Sequence, residues 1–346
     1  REGEQFDTDR LIAYLREQLG DDRAEGLVVE QFPSGYSNLT YALSWGGNEY
    51  VLRRPPFGNQ VKSAHDMGRE YRVLSKLSNV YPLAPRPCAY CQDESIIGDE
   101  FYLMERRRGV ILRGSKAPAP LDSSAELTRN LCLSFVDRLV ELHQIDYESA
   151  GLGDLGRPEG YTERQVNGWT RRYADARTDD LPEMETIAQW LADNRPTDSA
   201  TALIHNDYKY DNLILDPDDL TRVVALLDWE MATLGDPLMD LGTALAYWVD
   251  ASDSELMKAQ AFGPTMLPGS LSRKELVARY ADQSGVELTD ALFYYCFGMF
   301  KLAVIVQQIY ARFVRGHTAD RRFAHLNQTV AALARAAVVA KDTGDY

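Results

Sequence analysis

The chain changes character once, near residue 106, and that change constrains its fold more than any other feature. From Gly26 to Glu105 the apolar residues fall in short runs rich in Val, Tyr, Phe and Leu, broken by Gly, Pro and Asn: 27–32, 39–45, 49–53, 87–92 and 101–104. Runs of this length between turn formers predict an antiparallel sheet. One helical stretch interrupts them at 64–77, where Met67, Tyr71, Leu74 and Leu77 recur at helical spacing, so its apolar stripe is expected to lie on the sheet. A further helix is expected at about 8–19. After Gly109 the long periodic segments are helical: 125–143, 164–176, 181–192, 237–248, 273–281, 288–313 and 319–341. Between them, 202–204, 213–215 and 223–227 read as short strands with polar clusters at their ends. The expected class is α+β: a small sheet lobe over 1–105 with one packed helix, and a larger, mainly helical lobe over 106–346.

Charge and cysteine use narrow the function classes. Asp and Glu outnumber Lys and Arg by 52 to 37, and a formal charge of −15 repels a phosphate backbone, so no nucleic-acid partner is expected. Four scattered cysteines are too few for a disulfide framework and point to a reducing, cytoplasmic compartment. Cys88 and Cys91 have redox or zinc spacing, but on a strand residues three apart face opposite sides, and no second pair accompanies them; a structural role is expected. The N-terminus is polar and acidic, without the pattern of a secretory signal; because the sequence does not open on Met, a removed targeting segment stays open. The apolar stretch 291–314 is long enough to span a bilayer but is interrupted by Lys301, Gln307, Gln308 and Arg312, and reads as a buried helix rather than a membrane anchor.

The strongest local signal is His205-Asn206-Asp207-Tyr208-Lys209-Tyr210-Asp211-Asn212, followed by Leu227-Asp228-Trp229-Glu230. Phosphoryl transfer needs a carboxylate to orient and deprotonate an attacking hydroxyl, a cation beside the phosphates, and oxygen ligands for Mg²⁺. Asp207, Lys209, Asn212 and Asp228 supply that set. Asn212 follows Asp207 by five residues, so a tight loop can put both on one rim.

His205-x-Asp207-x-Lys209-x-x-Asn212 resembles the catalytic loop of protein kinases, and Asp228 resembles the aspartate of their DFG motif. The closer resemblance is to the aminoglycoside phosphotransferase family, through the Asp207 loop, Asp228-Trp229-Glu230 and Gly235-Asp236-Pro237-Leu238-Met239-Asp240-Leu241. Tyr50-Val51-Leu52-Arg53-Arg54-Pro55-Pro56 and Phe101-Tyr102-Leu103-Met104-Glu105-Arg106 are similar to the branch related to the kinase-like domain fused to some acyl-CoA dehydrogenases. The likeness runs from about Phe32 to the C-terminal helices. It implies a bilobal, protein-kinase-like fold, ATP and Mg²⁺ as cofactors, and a small-molecule hydroxyl as phosphoryl acceptor.

Residue by residue, the resemblance implies Asp207 and Lys209 as catalytic, with Asn212 and Asp228 on the metal. Ser34, Gly35 and Ser37 lie in the loop over the phosphates, where small residues permit close backbone approach. Arg53 stands where the protein kinases carry a phosphate-gripping lysine; it keeps the charge with a different, forked geometry. Glu70 is its expected ion-pair partner. Arg54 competes for that place, and strand alternation favours Arg53. Met104 borders the adenine pocket, with the Glu105 carbonyl and the Arg107 amide on the base.

Several side chains keep two readings. His205 is expected as a buried hydrogen-bonding group that shapes the loop, and His143, at the end of an amphipathic helix, as a C-terminal capping or core residue. Asp236 and Asp240 are either metal-linked or supports of the catalytic loop, the latter favoured by the helix-capping pattern at Asp236-Pro237. Arg106, Arg107, Arg108, Arg113 and Lys116 form either a solvated surface or a docking patch for an anionic substrate group. Tyr161, Trp169, Tyr173, Phe293, Tyr294, Tyr295 and Tyr310 are core residues or the lining of an apolar acceptor pocket. The family resemblance leaves the acceptor open between a hydroxy acid or hydroxyacyl-CoA and an aminoglycoside. From other classes, a nucleotide-binding regulatory module and a metal-dependent phosphohydrolase compete.

Overall fold

A computed structural model of the chain describes residues 6–20, 26–32, 38–56, 66–318 and 320–346. They divide into two compact units. The first holds Arg1–Gly109 with two short returns of the chain, Glu148–Leu152 and Val224–Glu230. The second holds Val110–Tyr147, Gly153–Val223 and Met231–Tyr346. The division falls four residues past the boundary expected at 105, and it groups Asp228 with the sheet unit instead of the helical one. The physical reason is an ion-pair cluster, described below, that ties Asp228 and Glu230 to Arg53.

In chain order the first unit contains α1 (Thr8–Leu19), β1 (Val28–Gln31), β2 (Leu39–Trp45), β3 (Asn48–Arg54), α2 (Met67–Leu77), β4 (Pro87–Cys91), α3 (Glu94–Ile97) and β5 (Phe101–Glu105). The five strands form one sheet in the order β1-β2-β3-β5-β4, antiparallel throughout. Alternation gives each face its own cover. Leu39, Tyr41, Leu43, Leu52, Phe101 and Leu103 pack with Leu11 and Leu15 of α1. On the other face lies α2, whose Met67, Val73, Leu74 and Leu77 are buried. Arg53 and Arg54 therefore part company: Arg53 reaches Glu70 on α2, and Arg54 donates to the Ile97 carbonyl. Cys88 is half-buried and Cys91 buried, and all four cysteines are free thiols.

The second unit contains α4 (Ala119–Ser123), α5 (Ala125–His143), α6 (Tyr161–Ala176), α7 (Pro182–Asp193), β6 (Ala202–Ile204), β7 (Leu213–Leu215), the start of β8 (Val223–Leu226), β9 (Thr233–Gly235), α8 (Pro237–Ala246), α9 (Glu255–Lys258), α10 (Arg273–Ser284), α11 (Ala291–Val314) and α12 (Leu326–Thr343). Its axis is α11, long and apolar enough to cross a membrane by length and composition; here it is a core helix packed by α6, α7, α8 and α12. Long helices begin or end within a few residues of the expected positions, except α12, which starts at Leu326 because a single 3₁₀ turn occupies Arg321–Phe323. Short elements α3, α4, α9 and β9 carry too few residues for a period to show. β9 matters most, because its antiparallel pairing with β6 sets Ile204 opposite Thr233 and Ala202 opposite Gly235, so the His205 loop leaves the pair beside Met231 and Asp236 lies at its other end, next to Ser199.

Candidate active site

In the helical unit, the loop after β6 is held from below by α8. The Asp240 carboxylate accepts from the backbone N–H groups of His205 and Asn206, both at 2.7 Å, and lies 3.1 Å from His143 Nε2. His143 Nδ1 in turn lies 2.7 Å from the Tyr280 hydroxyl. Burial alone would push the Asp240 carboxyl up; His143, His205 and the backbone donor overcome it and hold it below its ordinary value. Asp236 caps α8 through the Leu238 N–H and accepts from Ser199. Asp240 thus supports the loop directly, whereas Asp236 fixes the start of α8 and the Ser199 segment. His205 is fully buried, and its Nδ1 accepts from the Asp207 N–H at 3.2 Å. His205 is a buried hydrogen-bonding group, as its sequence setting implied, and His143, in the last turn of α5, is a half-buried one that links Asp240 to Tyr280.

Asn206 carries a left-handed backbone, φ 68°, a conformation asparagine tolerates better than most residues. It is pinned from α11: Lys301, itself buried, donates to the Asn206 carbonyl at 2.8 Å and lies 3.3 Å from both its side-chain oxygen and the Thr243 hydroxyl. Desolvation lowers the Lys301 amine from 10.5 to about 8, against the pull of Asp240 and Asp207.

The next residue, Asp207, has every direction of its carboxylate engaged. Lys209 Nζ donates to both oxygens, at 2.9 and 2.8 Å. Asn212 Nδ2 donates to Oδ2 at 2.9 Å and to the Asp207 carbonyl at 2.8 Å. The third donor is the Tyr247 hydroxyl, 2.7 Å from Oδ1, at the C-terminal end of α8. The 3₁₀ turn Tyr210–Asn212 folds Asn212 back onto Asp207, so this loop does bring Asp207, Lys209 and Asn212 together.

In the sheet unit, Arg53 faces three carboxylates: Glu70 at 2.5 Å, Asp228 at 2.9 Å and Glu230 at 3.7 Å. Burial opposes its charge, and Glu70 and Asp228 more than restore it, leaving the guanidinium firmly protonated. The Trp229 N–H donates to Glu70, and Asn38 Nδ2 donates to Glu230 at 2.8 Å. Asp228, like Asn206, has φ 68°; they are the only non-glycine residues with positive φ among those described. Of the residues expected beside adenine, Met104 and Glu105 end β5, and the Glu105 carboxylate pairs with Arg107 at 2.7 Å and accepts from the Arg86 N–H. The arginine run is largely spoken for within the unit. Arg106 and Arg108 both close on Glu49, and Arg107 on Glu105, so three of the five cations of the supposed docking patch are already paired. Ser34, Gly35 and Ser37 lie outside the described residues.

Two residues of this site escaped sequence reasoning. Tyr247 sits 40 positions after Asp207, at the C-cap of an ordinary helix, and carries no local signature. Lys301 did leave a trace, as a cation inside an apolar helix, but was read only as evidence against a membrane span.

The profile of the phosphotransferase enzyme family matches residues 28–276. The chain belongs to that family. Acyl-CoA dehydrogenase family member 11 of Gallus gallus is 38% identical over 326 residues, covering 92% of this chain and 41% of that protein. The chain thus spans less than half the length of the curated relatives it matches. A crystal structure from Ralstonia eutropha, of a protein assigned as an aminoglycoside phosphotransferase, aligns with TM-score 0.80 at 31% identity, covering 96% of this chain and 97% of the other. Choline kinase from Cryptosporidium parvum, at 14% identity and TM-score 0.66 over 98% of both chains, shares the fold. The chain is therefore a member of the phosphotransferase enzyme family with a kinase-like fold, similar over most of its length to a part of the longer acyl-CoA dehydrogenase family member 11 proteins.

Proposed function

We propose that the protein transfers the γ-phosphoryl group of ATP, with Mg²⁺, to the hydroxyl of a small hydroxylated acyl substrate, a hydroxy acid or its CoA thioester. The observation that carries the chemistry is the Asp207 carboxylate, aimed and charge-balanced by Lys209 and Asn212 within one loop. In this reading Asp207 accepts the acceptor's proton as its oxygen attacks the γ-phosphorus. Lys209 and Arg53 offset charge on the transferred group. Asn212 and Asp228 are the oxygen donors assigned to Mg²⁺, which supplies neutralisation of the phosphate charge. Mg²⁺ commonly takes only one or two protein oxygens beside phosphates and water. Within the helical unit the Asn212 amide nitrogen is spent on Asp207, leaving its oxygen end for a cation; within the sheet unit Asp228 belongs to a cluster of three carboxylates around one guanidinium.

Support for an acyl acceptor comes from the relatives. The longer relatives are named for acyl-CoA chemistry. Next to Lys209 and Tyr247, a water-sized recess is lined by Phe135, Tyr210, Trp248 and Phe262, which places apolar side chains beside the base. Asp207→Ala is expected to bind nucleotide like the wild type and to lose transfer by a factor of about 10² or more. The assay is ATP-dependent gain of one phosphoryl mass across hydroxy acids, hydroxyacyl-CoAs and aminoglycosides. Full transfer by Asp207→Ala sinks the assignment of the base; gain on aminoglycosides alone sinks the acyl reading.

A further inference from the structure

We infer that the Tyr247 hydroxyl is a stand-in for the acceptor, closing the base to water until a substrate hydroxyl displaces it. The inference rests on the reading of Asp207 as base. A carboxylate offers about four lone-pair directions. At Asp207 all four are filled: Lys209 takes one on each oxygen, Asn212 one on Oδ2, and Tyr247 the remaining one on Oδ1. An acceptor hydroxyl can hydrogen-bond to this base only by displacing a donor.

The three donors are not equally replaceable. Lys209 brings a full charge and touches both oxygens, and Asn212 is fixed a second time on the Asp207 carbonyl. Both belong to the loop of Asp207 itself and already orient its carboxylate. Tyr247 arrives from another element, with a neutral O–H of the same kind as the acceptor's, at the 2.7 Å an acceptor would adopt. Its ring has company that lets it hold that pose: Lys209 Nζ lies 4.7 Å from the ring centroid and Phe262 packs edge-on at 5.3 Å. The position filled by the phenol is therefore the one a nucleophile must take, and the recess lined by Phe262 and Trp248 adjoins it.

A water in that position would be a competing nucleophile. Its oxygen would bond to the γ-phosphorus as the bond from that phosphorus to the bridging oxygen of ADP breaks, its proton passing to Asp207, with ADP and inorganic phosphate as products. Filling the place with a phenol held inside the fold suppresses this loss of ATP when no acceptor is present.

The test needs no identified acceptor. ADP release is measured with ATP and Mg²⁺ alone for wild type, Tyr247→Phe, Asp207→Ala and the double variant. Tyr247→Phe is expected to raise release about tenfold, the effect of removing one hydrogen bond to a charged group. The double variant is expected to fall to the level of Asp207→Ala. Unchanged or slower release by Tyr247→Phe, with the thermal midpoint of the wild type, overturns the inference and leaves Tyr247 as a positioning group. If Tyr247→Phe folds poorly, Tyr247→Met, which also lacks a donor, gives the same readout. A rise that persists in the double variant shows that Asp207 is not the base, which overturns the underlying reading as well; no rise beside an inactive Asp207→Ala overturns the gate alone.

Discussion

At the scale of single residues, the site depends on buried polar groups whose partners come from far along the chain. Lys301 is the clearest case. Its amine holds the carbonyl of Asn206, the residue with the left-handed backbone just before the base, and the charges facing it are Asp240, Asp207, Lys209 and Arg172. Because the folded protein lowers this amine from 10.5 to about 8, the unfolded chain binds more protons between those values, and stability must rise with pH across that window. The slope is at most about 1.4 kcal/mol per pH unit, summing to about 3 kcal/mol. Lys301→Met removes this dependence, so urea titrations of the two proteins from pH 7 to 10 should show the wild type gaining on the variant only above pH 8. The variant also leaves the Asn206 carbonyl without its donor and is expected to lose phosphotransfer at every pH. Parallel stability curves would refute the account.

Among elements, the decisive contact is between α8 and α11, because α8 carries Asp240, Thr243 and, at its end, Tyr247, while α11 carries Lys301. The two backbones meet at glycine. A Cβ on Gly242 would lie 2.1 Å from the Tyr294 carbonyl oxygen, and one on Gly298 would lie 2.1 Å from the Gly242 oxygen. Only the lack of a side chain allows Lys301 to reach across to Thr243 and Asn206. Gly242→Ala should gain about 1 kcal/mol of helix propensity and lose more to displacement of the helices, for a net destabilisation of about 1–3 kcal/mol. Denaturant unfolding measures this, and ADP release should fall with it. A stabilised, fully active variant would show that the close approach is dispensable. In sequence, both glycines look like mild defects in helical periods; their purpose is invisible until the partner helix is known.

At the level of the whole molecule, the proposed nucleotide use has a thermodynamic consequence. ATP with Mg²⁺ at about a hundred times its dissociation constant should stabilise the folded chain by about 2.7 kcal/mol, raising the melting midpoint by several degrees, whereas ATP with a chelator should do markedly less. An equal shift without the metal would remove Mg²⁺ from the proposal. The order of sheet and helices, the two-sided character of 39–54 and the residue types of the Asp207 loop were legible in the sequence because each is written within a turn or a strand, where covalent spacing dictates which side chains share a face. Arg53, not Arg54, meets Glu70 by that same alternation. What the packed molecule alone decided is who completes the site: Tyr247 from 40 residues away, Lys301 from 95, and Glu230 against Arg53. Such contacts depend on how closely helices approach and where strands register, and no local pattern of residues encodes that distance.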